Sequence, residues 1–186
     1  MNVQHIHTGR LDLIPATLEI LTSDLEDHTE LERLLGAKVP ETWPPGEMTK
    51  EVLCEFIRMA SENSDPFFSD WYWVRETPDQ KDRILIGSGG TGSALNKPGT
   101  VMLGYSVLDL FWGQGYATDA VSHLIPAIFS DSCITRIMAT TFPELKASIR
   151  VLEKTGFVCT GTTPSGEGLE EGTLEYVLAR SRSAFR

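Results

Sequence analysis

The sequence predicts an α/β (α+β) fold built as one domain over residues 1–186. Three observations predict it. Strand-like runs crowd the middle of the chain, and the connections between them are too short for parallel crossovers. Apolar residues recur at helical spacing on both sides of that block. One strand-like run then leads into a glycine-containing loop and an amphipathic helix. A chain of 186 residues suffices for a substantial core, and no repeat or linker divides it.

The elements follow in order. Arg10-Leu11-Asp12-Leu13-Ile14-Pro15 alternates and reads as an opening strand. Ala16 to Leu25 and His28 to Leu35 have helical spacing, with Gly36 as the stop. Pro40-Glu41-Thr42-Trp43-Pro44-Pro45-Gly46 is a rigid loop, because its prolines suit neither a helix nor an inner strand. Glu51 to Ala60 is a helix capped by Thr49. Trp71-Tyr72-Trp73-Val74 and Ile84-Leu85-Ile86 are strands bracketing a polar tip at Thr77–Asp82, and Val101 to Leu108 is the third strand of this meander. A helix runs from about Gly115 to Phe129; Pro126 inside it predicts a kink or break near Ser122. Ile134 to Thr141 is a strand, and Glu144 to Lys154 is a helix ended by Gly156. Phe157 to Thr162 and Leu174 to Ala179 are the last strands, around a Pro164–Gly172 loop.

Ile84-Leu85-Ile86-Gly87-Ser88-Gly89-Gly90-Thr91-Gly92 carries the G-x-G-x-x-G spacing of a dinucleotide site, with Asp109 20 residues beyond Gly89. That site needs a helix starting at the glycines. Here Pro98 and Gly99 forbid one, and only eight residues separate Gly92 from Val101. The stretch reads as an antiparallel hairpin with a glycine-rich tip.

Composition narrows the function classes. The net charge of -10 argues against a nucleic-acid surface and fits either a cationic substrate or simple solubility. Cys54, Cys133 and Cys159 show no metal spacing and read as buried, reduced thiols; no metal is expected. No apolar stretch approaches the ~20 residues that span a bilayer. Met1-Asn2-Val3-Gln4-His5-Ile6-His7 lacks a signal-peptide pattern, so a cytoplasmic location is expected.

In Tyr105-Ser106-Val107-Leu108-Asp109-Leu110-Phe111-Trp112-Gly113-Gln114-Gly115-Tyr116-Ala117-Thr118-Asp119-Ala120, a strand does run through a glycine loop into a helix. Backbone N–H groups of such a loop and first turn converge on one spot, which suits a phosphate. Gly113 and Gly115 permit close approach and positive φ.

The segment Trp112 to Ala120 resembles the acetyl-CoA-binding loop of the GNAT superfamily of N-acetyltransferases, in the aromatic form of the branch that acetylates ribosomal-protein N-termini. Ala147-Ser148-Ile149-Arg150-Val151-Leu152-Glu153-Lys154-Thr155-Gly156-Phe157 is similar to a second block of that branch, and Gly9 to Pro15 to its first strand. Leu110 and Leu145 depart from the pattern, at positions often Gln/Arg and Asn. Leu152 stands where many relatives have a proton-donating Tyr, and Met102 where some have Glu.

The resemblance implies a mixed, mostly antiparallel sheet splayed between its fourth and fifth strands, Val101–Leu108 and Ile134–Thr141. It implies acetyl-CoA as cofactor, held by Val107, Leu108, Leu110, Trp112, Gly113, Gln114, Gly115, Tyr116, Ala117, Thr118 and Ser148. A backbone N–H near Val107 or Leu108 would serve the oxyanion, and Ser148 would be the catalytic group at the thiol. The acceptor is a primary amine, on a protein N-terminus or a small molecule, with the chain a monomer or homodimer. Asp119 reads as a helix-dipole partner. Trp43, Trp71, Trp73 and Tyr105 are candidate pocket walls. Glu76, Glu175 and the four histidines are candidate bases by type. A non-catalytic acyl-CoA-binding module is the alternative reading.

Overall fold

The computed structural model describes residues 4–46, 48–77, 82–163 and 172–181. Eight strands form one sheet in the order β1-β2-β3-β4-β5-β6-β8-β7. They are β1 (Ile6–His7), β2 (Leu11–Pro15), β3 (Ser69–Glu76), β4 (Arg83–Ser93), β5 (Thr100–Val107), β6 (Arg136–Thr141), β7 (Val158–Thr162) and β8 (Leu174–Ala179). The helices are α1 (Leu18–Glu26), α2 (His28–Leu35), α3 (Lys50–Glu62), α4 (Tyr116–Ile128) and α5 (Lys146–Lys154). Every pairing is antiparallel except β5 with β6.

The sheet has a core on each face. Leu11, Leu13, Trp71, Trp73, Val101 and Leu103 pack with Ala120, Val121 and Leu124 of α4 and Leu152 of α5. Ile14, Tyr72, Val74 and Leu85 pack with Ile20 and Leu21 of α1, Leu31 and Leu35 of α2 and Leu53 of α3. The period of two along β2 and β3 thus feeds two layers rather than a core and a wet face. One inward polar side chain is neutralised across the sheet: buried Asp12 takes an ion pair from Arg83 at 2.8 Å.

Helix ends follow local chemistry. Thr49 caps α3 by accepting from Val52 N–H, Asp27 caps α2, and Gly36 stops α2 in the left-handed region at φ 57°. The helix α4 runs unbroken to Ile128, against the expected break near Ser122. Pro126 stands in its last turn, so the N–H it lacks costs one bond close to an end that is already fraying.

The glycine run is also placed differently from the expectation. Gly87 to Gly92 lie inside β4, and the tip is the turn from Ala94 to Gly99. The reason is non-local. A Cβ on Gly89 would stand 2.7 Å from Cζ2 of Trp73 and 2.7 Å from Cβ of Tyr105, and one on Gly87 2.5 Å from the Ser106 carbonyl oxygen. The glycines make room for bulky neighbours on the flanking strands. The three cysteines are exposed rather than buried: Cys54 lies on α3, Cys133 in a turn, Cys159 on the edge strand β7. The Pro164–Gly172 loop lies outside the described residues except at Gly172, as does most of the Thr77–Asp82 tip.

Two glycines on one row differ sharply. A Cβ on Gly90 would lie 2.5 Å from Cα of Asp70, whereas one on Gly104, directly opposite, would meet nothing within 4 Å. Gly90→Ala is expected to cost roughly 1–3 kcal/mol of unfolding free energy. Gly104→Ala should change it by less than about 1 kcal/mol; urea denaturation of both variants checks the contrast.

Candidate functional site

The strands β5 and β6 pair at only three positions, Thr100 with Arg136, Val101 with Ile137 and Met102 with Met138. Beyond Met102, β5 continues to Val107 bonded to β4 alone, and β6 continues to Thr141 bonded to β8 alone. A gap therefore opens between them. The amide of Leu108 donates to the Ile86 carbonyl at 2.8 Å, which fixes the alternation of bonds along β5. By that alternation Tyr105 and Val107 turn their backbone groups away from β4, toward the gap. Leu108 has none to spare: its N–H serves Ile86 and its carbonyl accepts from Phe111 at 2.9 Å. The expectation of an oxyanion N–H at Leu108 is thereby corrected, and the Val107 N–H alone remains for that role.

After β5 comes a 3₁₀ turn, Asp109–Phe111, then Trp112 to Gly115 and the start of α4. Gly113 and Gly115 have φ of 71° and 83°, in the region where a side chain is strained. Gly115 is the N-cap, with no side chain to bond the first turn. Among the described residues no group accepts from the N–H of Gly113, Gln114, Gly115, Tyr116, Ala117 or Thr118. An exposed helix N-terminus with unspent donors suits an anion. The Trp112 indole donates to the Val107 carbonyl at 2.6 Å, and Gln114 Nε2 to the Leu110 carbonyl at 3.0 Å; these bonds hold the loop to the end of β5. The side chain of Leu110 is 75% exposed.

Sequence reasoning missed Arg10. Its guanidinium lies 4.2 Å over the Tyr116 ring and donates to the Gln114 carbonyl at 2.9 Å. A fixed cation thus stands beside the loop, brought there from a position 104 residues earlier. Nothing local to Gly9-Arg10-Leu11 signals that. Asp119, expected to face the helix dipole, also accepts from the Thr8 hydroxyl at 2.6 Å.

Across the gap, the Tyr105 hydroxyl reaches Ser148 on α5, 3.1 Å from its Oγ and 3.3 Å from its carbonyl oxygen. Burial pushes the Tyr105 phenol up to about 12, so it stays a proton donor. Leu152 is fully buried in the core, so that helix position holds no donor. Trp43, Trp71 and Trp73 are core residues, not pocket walls: the Trp43 indole donates to Asp24 Oδ1 at 2.7 Å, and Trp71 and Trp73 pack beneath α4.

The expected bases are otherwise engaged. Glu76 is paired with Arg83, and the Lys97 ammonium, 3.0 Å from Glu175, holds that carboxyl below its usual range. His5 and His7 lie beside Asp12, His28 beside Asp24, and His123 beside Asp119. The carboxylate that stands out is Asp70, the second residue of β3. It is 4% exposed, and its Oδ2 has no hydrogen-bond partner. Burial pushes it up to about 7; a bond from the Trp71 N–H opposes the shift and the charge of Asp24 adds to it. Asp24 is buried too, but Tyr72 Oη and the Trp43 indole satisfy it at 2.5 and 2.7 Å.

Asp70 lines a hollow of about 380 Å³ between α3 and the sheet, whose walls include Met48, Val52, Phe56, Met59 and Phe68. The hollow also reaches Met102, Gly104, Tyr105 and Ser106 of β5, the strand that borders the gap. The loop and the hollow therefore lie against the same strand.

A family model described as "Acetyltransferase (GNAT) domain" matches residues 12–158. The chain belongs to the GNAT acetyltransferase family. Among curated relatives of this GNAT chain, the uncharacterized N-acetyltransferase YoaA of Bacillus subtilis is 33% identical over 85 residues, 46% of this chain and 47% of that protein. A second, p20 of Bacillus licheniformis, is 32% identical over 84 residues, 45% and 44% of the two chains, so the matches span about half the length of these relatives. Among solved structures, the ribosomal-protein-S5-alanine acetyltransferase of Vibrio fischeri superposes with a TM-score of 0.61 at 18% identity, covering 95% of this chain and 97% of that one. AAC(6')-Ib in complex with ribostamycin and coenzyme A gives 0.61 at 18% identity, covering 92% and 94%. At these identities the structures establish the fold.

Folding raises the pKa of Asp70, so the native state loses stability as pH rises from about 4 to about 7, and the loss then levels off. Asn carries no charge to bury. Asp70→Asn is expected to raise Tm by a few degrees at pH 8, and the gain should vanish below about pH 4; thermal melts across that range check it.

Proposed function

We propose that the protein is an acetyl-CoA-dependent N-acetyltransferase that modifies a primary amine in the cytoplasm. The observation that carries the reading is the set of unspent amides from Gly113 to Thr118, standing at the end of a strand whose own backbone groups face a gap. The residues present fit coenzyme A. The loop amides and Arg10 suit its diphosphate. The backbone groups of Tyr105 suit an amide of its pantetheine arm, as an added strand would. Acetyl-CoA supplies an activated acetyl group as a thioester.

The chain's own groups do the rest. The loop and gap position the donor, which converts a bimolecular encounter into a local one. The Val107 N–H is the donor available to a developing oxyanion. Tyr105 Oη and Ser148 Oγ form a two-hydroxyl relay that brings a proton to the thiol end. Three exposed, unpaired cysteines fit a reducing compartment.

The acceptor is a protein N-terminus or a small-molecule amine; of the solved structures of this fold, one is named for a ribosomal-protein alanine and another holds ribostamycin beside coenzyme A. A non-catalytic acyl-CoA-binding module is the competing reading, and release of free thiol from acetyl-CoA with a panel of amines separates the two. Coenzyme A binding without turnover on any amine would favour the module.

The loop has its own test. Thr118 occupies the third position of α4, where a carboxylate favours the helix by about 0.3–1 kcal/mol. Thr118→Glu should therefore leave Tm unchanged or higher, yet weaken coenzyme A binding about tenfold or more by repelling the diphosphate. Calorimetric titration checks this, and an unchanged affinity would remove the phosphate from this loop.

A further inference from the structure

On β3, β4 and β5 the residues Asp70, Gly90 and Gly104 stand directly opposite one another. Residues paired in this way share one face of a sheet. The face is the one covered by α3, and the two glycines leave it bare between the carboxylate and the strand bordering the gap. On that floor the chain has placed a buried carboxylate oxygen with no partner among the described residues. Strands lie about 4.8 Å apart, so the row spans about 10 Å, a distance that one small molecule bridges. The walls, Met48, Val52, Phe56, Met59 and Phe68, are apolar.

We propose that this hollow is the acceptor site, that it takes a primary amine carrying one compact apolar body, and that Asp70 receives the proton of the entering ammonium. The inference rests on the acetyltransferase reading and names its substrate class. A single carboxylate matches a single cation, whereas a polycation would leave further charges against methionine and phenylalanine. A volume of about 380 Å³ holds roughly a dozen non-hydrogen atoms, at ~30 Å³ each for a water-sized group. The net charge of -10 draws amines to the surface, but it is the hollow that selects among them.

The protons balance. The ammonium gives one to Asp70, leaving a neutral amine and a carboxylic acid, and the acid returns it to solvent. The amine nitrogen bonds the acetyl carbon, the carbon–sulfur bond breaks, and the second nitrogen proton leaves with the sulfur as free thiol. The apolar walls favour the first transfer, because desolvation penalises ammonium and carboxylate alike. The titratable groups that face Asp70 are Asp24 of α1 and Tyr72 of β3, bonded to each other; the part of α3 that lines the hollow presents Val52, Phe56 and Met59.

The test uses the full chain with acetyl-CoA and four probes: 2-phenylethylamine, methionine amide, a methionine-initiated peptide and spermidine. Wild type should turn over one or more of the first three in preference to spermidine; the peptide against the free amines tells a protein N-terminus from a small molecule. Asp70→Asn should lower kcat/KM about a hundredfold or more and abolish the limb of its pH profile near 7, with coenzyme A affinity unchanged. Gly104→Val, which meets no neighbour at its Cβ, should raise KM for the apolar amines about tenfold and leave coenzyme A affinity unchanged.

Calorimetric binding of 2-phenylethylamine and methionine amide to the coenzyme A complex gives a readout independent of turnover. Binding of at least one by wild type, weakened about tenfold or more in both variants, supports the site even where acetyl transfer itself fails. Turnover by Asp70→Asn at the wild-type rate and pH profile overturns the role of Asp70, and a preference for spermidine overturns the substrate class. Absence of amine binding in wild type, or Gly104→Val indistinguishable from wild type, overturns the hollow as the acceptor site.

Discussion

Almost everything about this site depends on the early parting of β5 and β6. Two parallel strands that stayed paired would spend their backbone groups on each other. Here they separate after Met102 and Met138, and the remainder of each is supported from its outer side only. The parting is stable because each strand has another partner and because both faces are packed. Val101 and Leu103 anchor β5 beneath α4 while β8 holds β6. The open edge is thus one of the few places where an edge is neither paired nor blunted.

The loop that follows is a consequence of the same departure. Once β5 is free of β6, the chain turns through Asp109–Phe111 and the Trp112 indole folds back onto Val107, setting α4 with its first turn at the mouth of the gap. The positive φ at Gly113 and Gly115 tightens this passage. Arg10 closes it from the other side, tying β2 to the loop through Gln114 and Tyr116.

What the sequence made legible was what local chemistry decides. Thr49 and Gly36 act within one turn of themselves, and helix ends at those residues follow from capping alone. The strand–loop–helix junction was legible because its glycines, its apolar strand and its helix are contiguous. The glycines of β4 were not, since turn chemistry and close packing use the same residue; only Trp73 and Tyr105, on other strands, show which applies. The break expected from Pro126 does not form, because its cost depends on how near the helix end lies, a matter of two residues. Asp70 escaped because it precedes an aromatic run and looks like a turn residue. Arg10 and the Tyr105–Ser148 contact escaped because their partners are remote in the chain.

The sheet keeps two interiors apart. Odd-numbered residues of β5 look toward α4 and α5, whereas Met102, Gly104 and Ser106 look toward α3. The side that fits the donor and the side that opens on the hollow therefore share one strand and little else. Such a partition leaves α1, α2 and α3 free to be remodelled, by drift or by design, without disturbing the gap or the loop that follows β5. A lineage built on this plan can reshape one interior of the sheet while the other stays as it is.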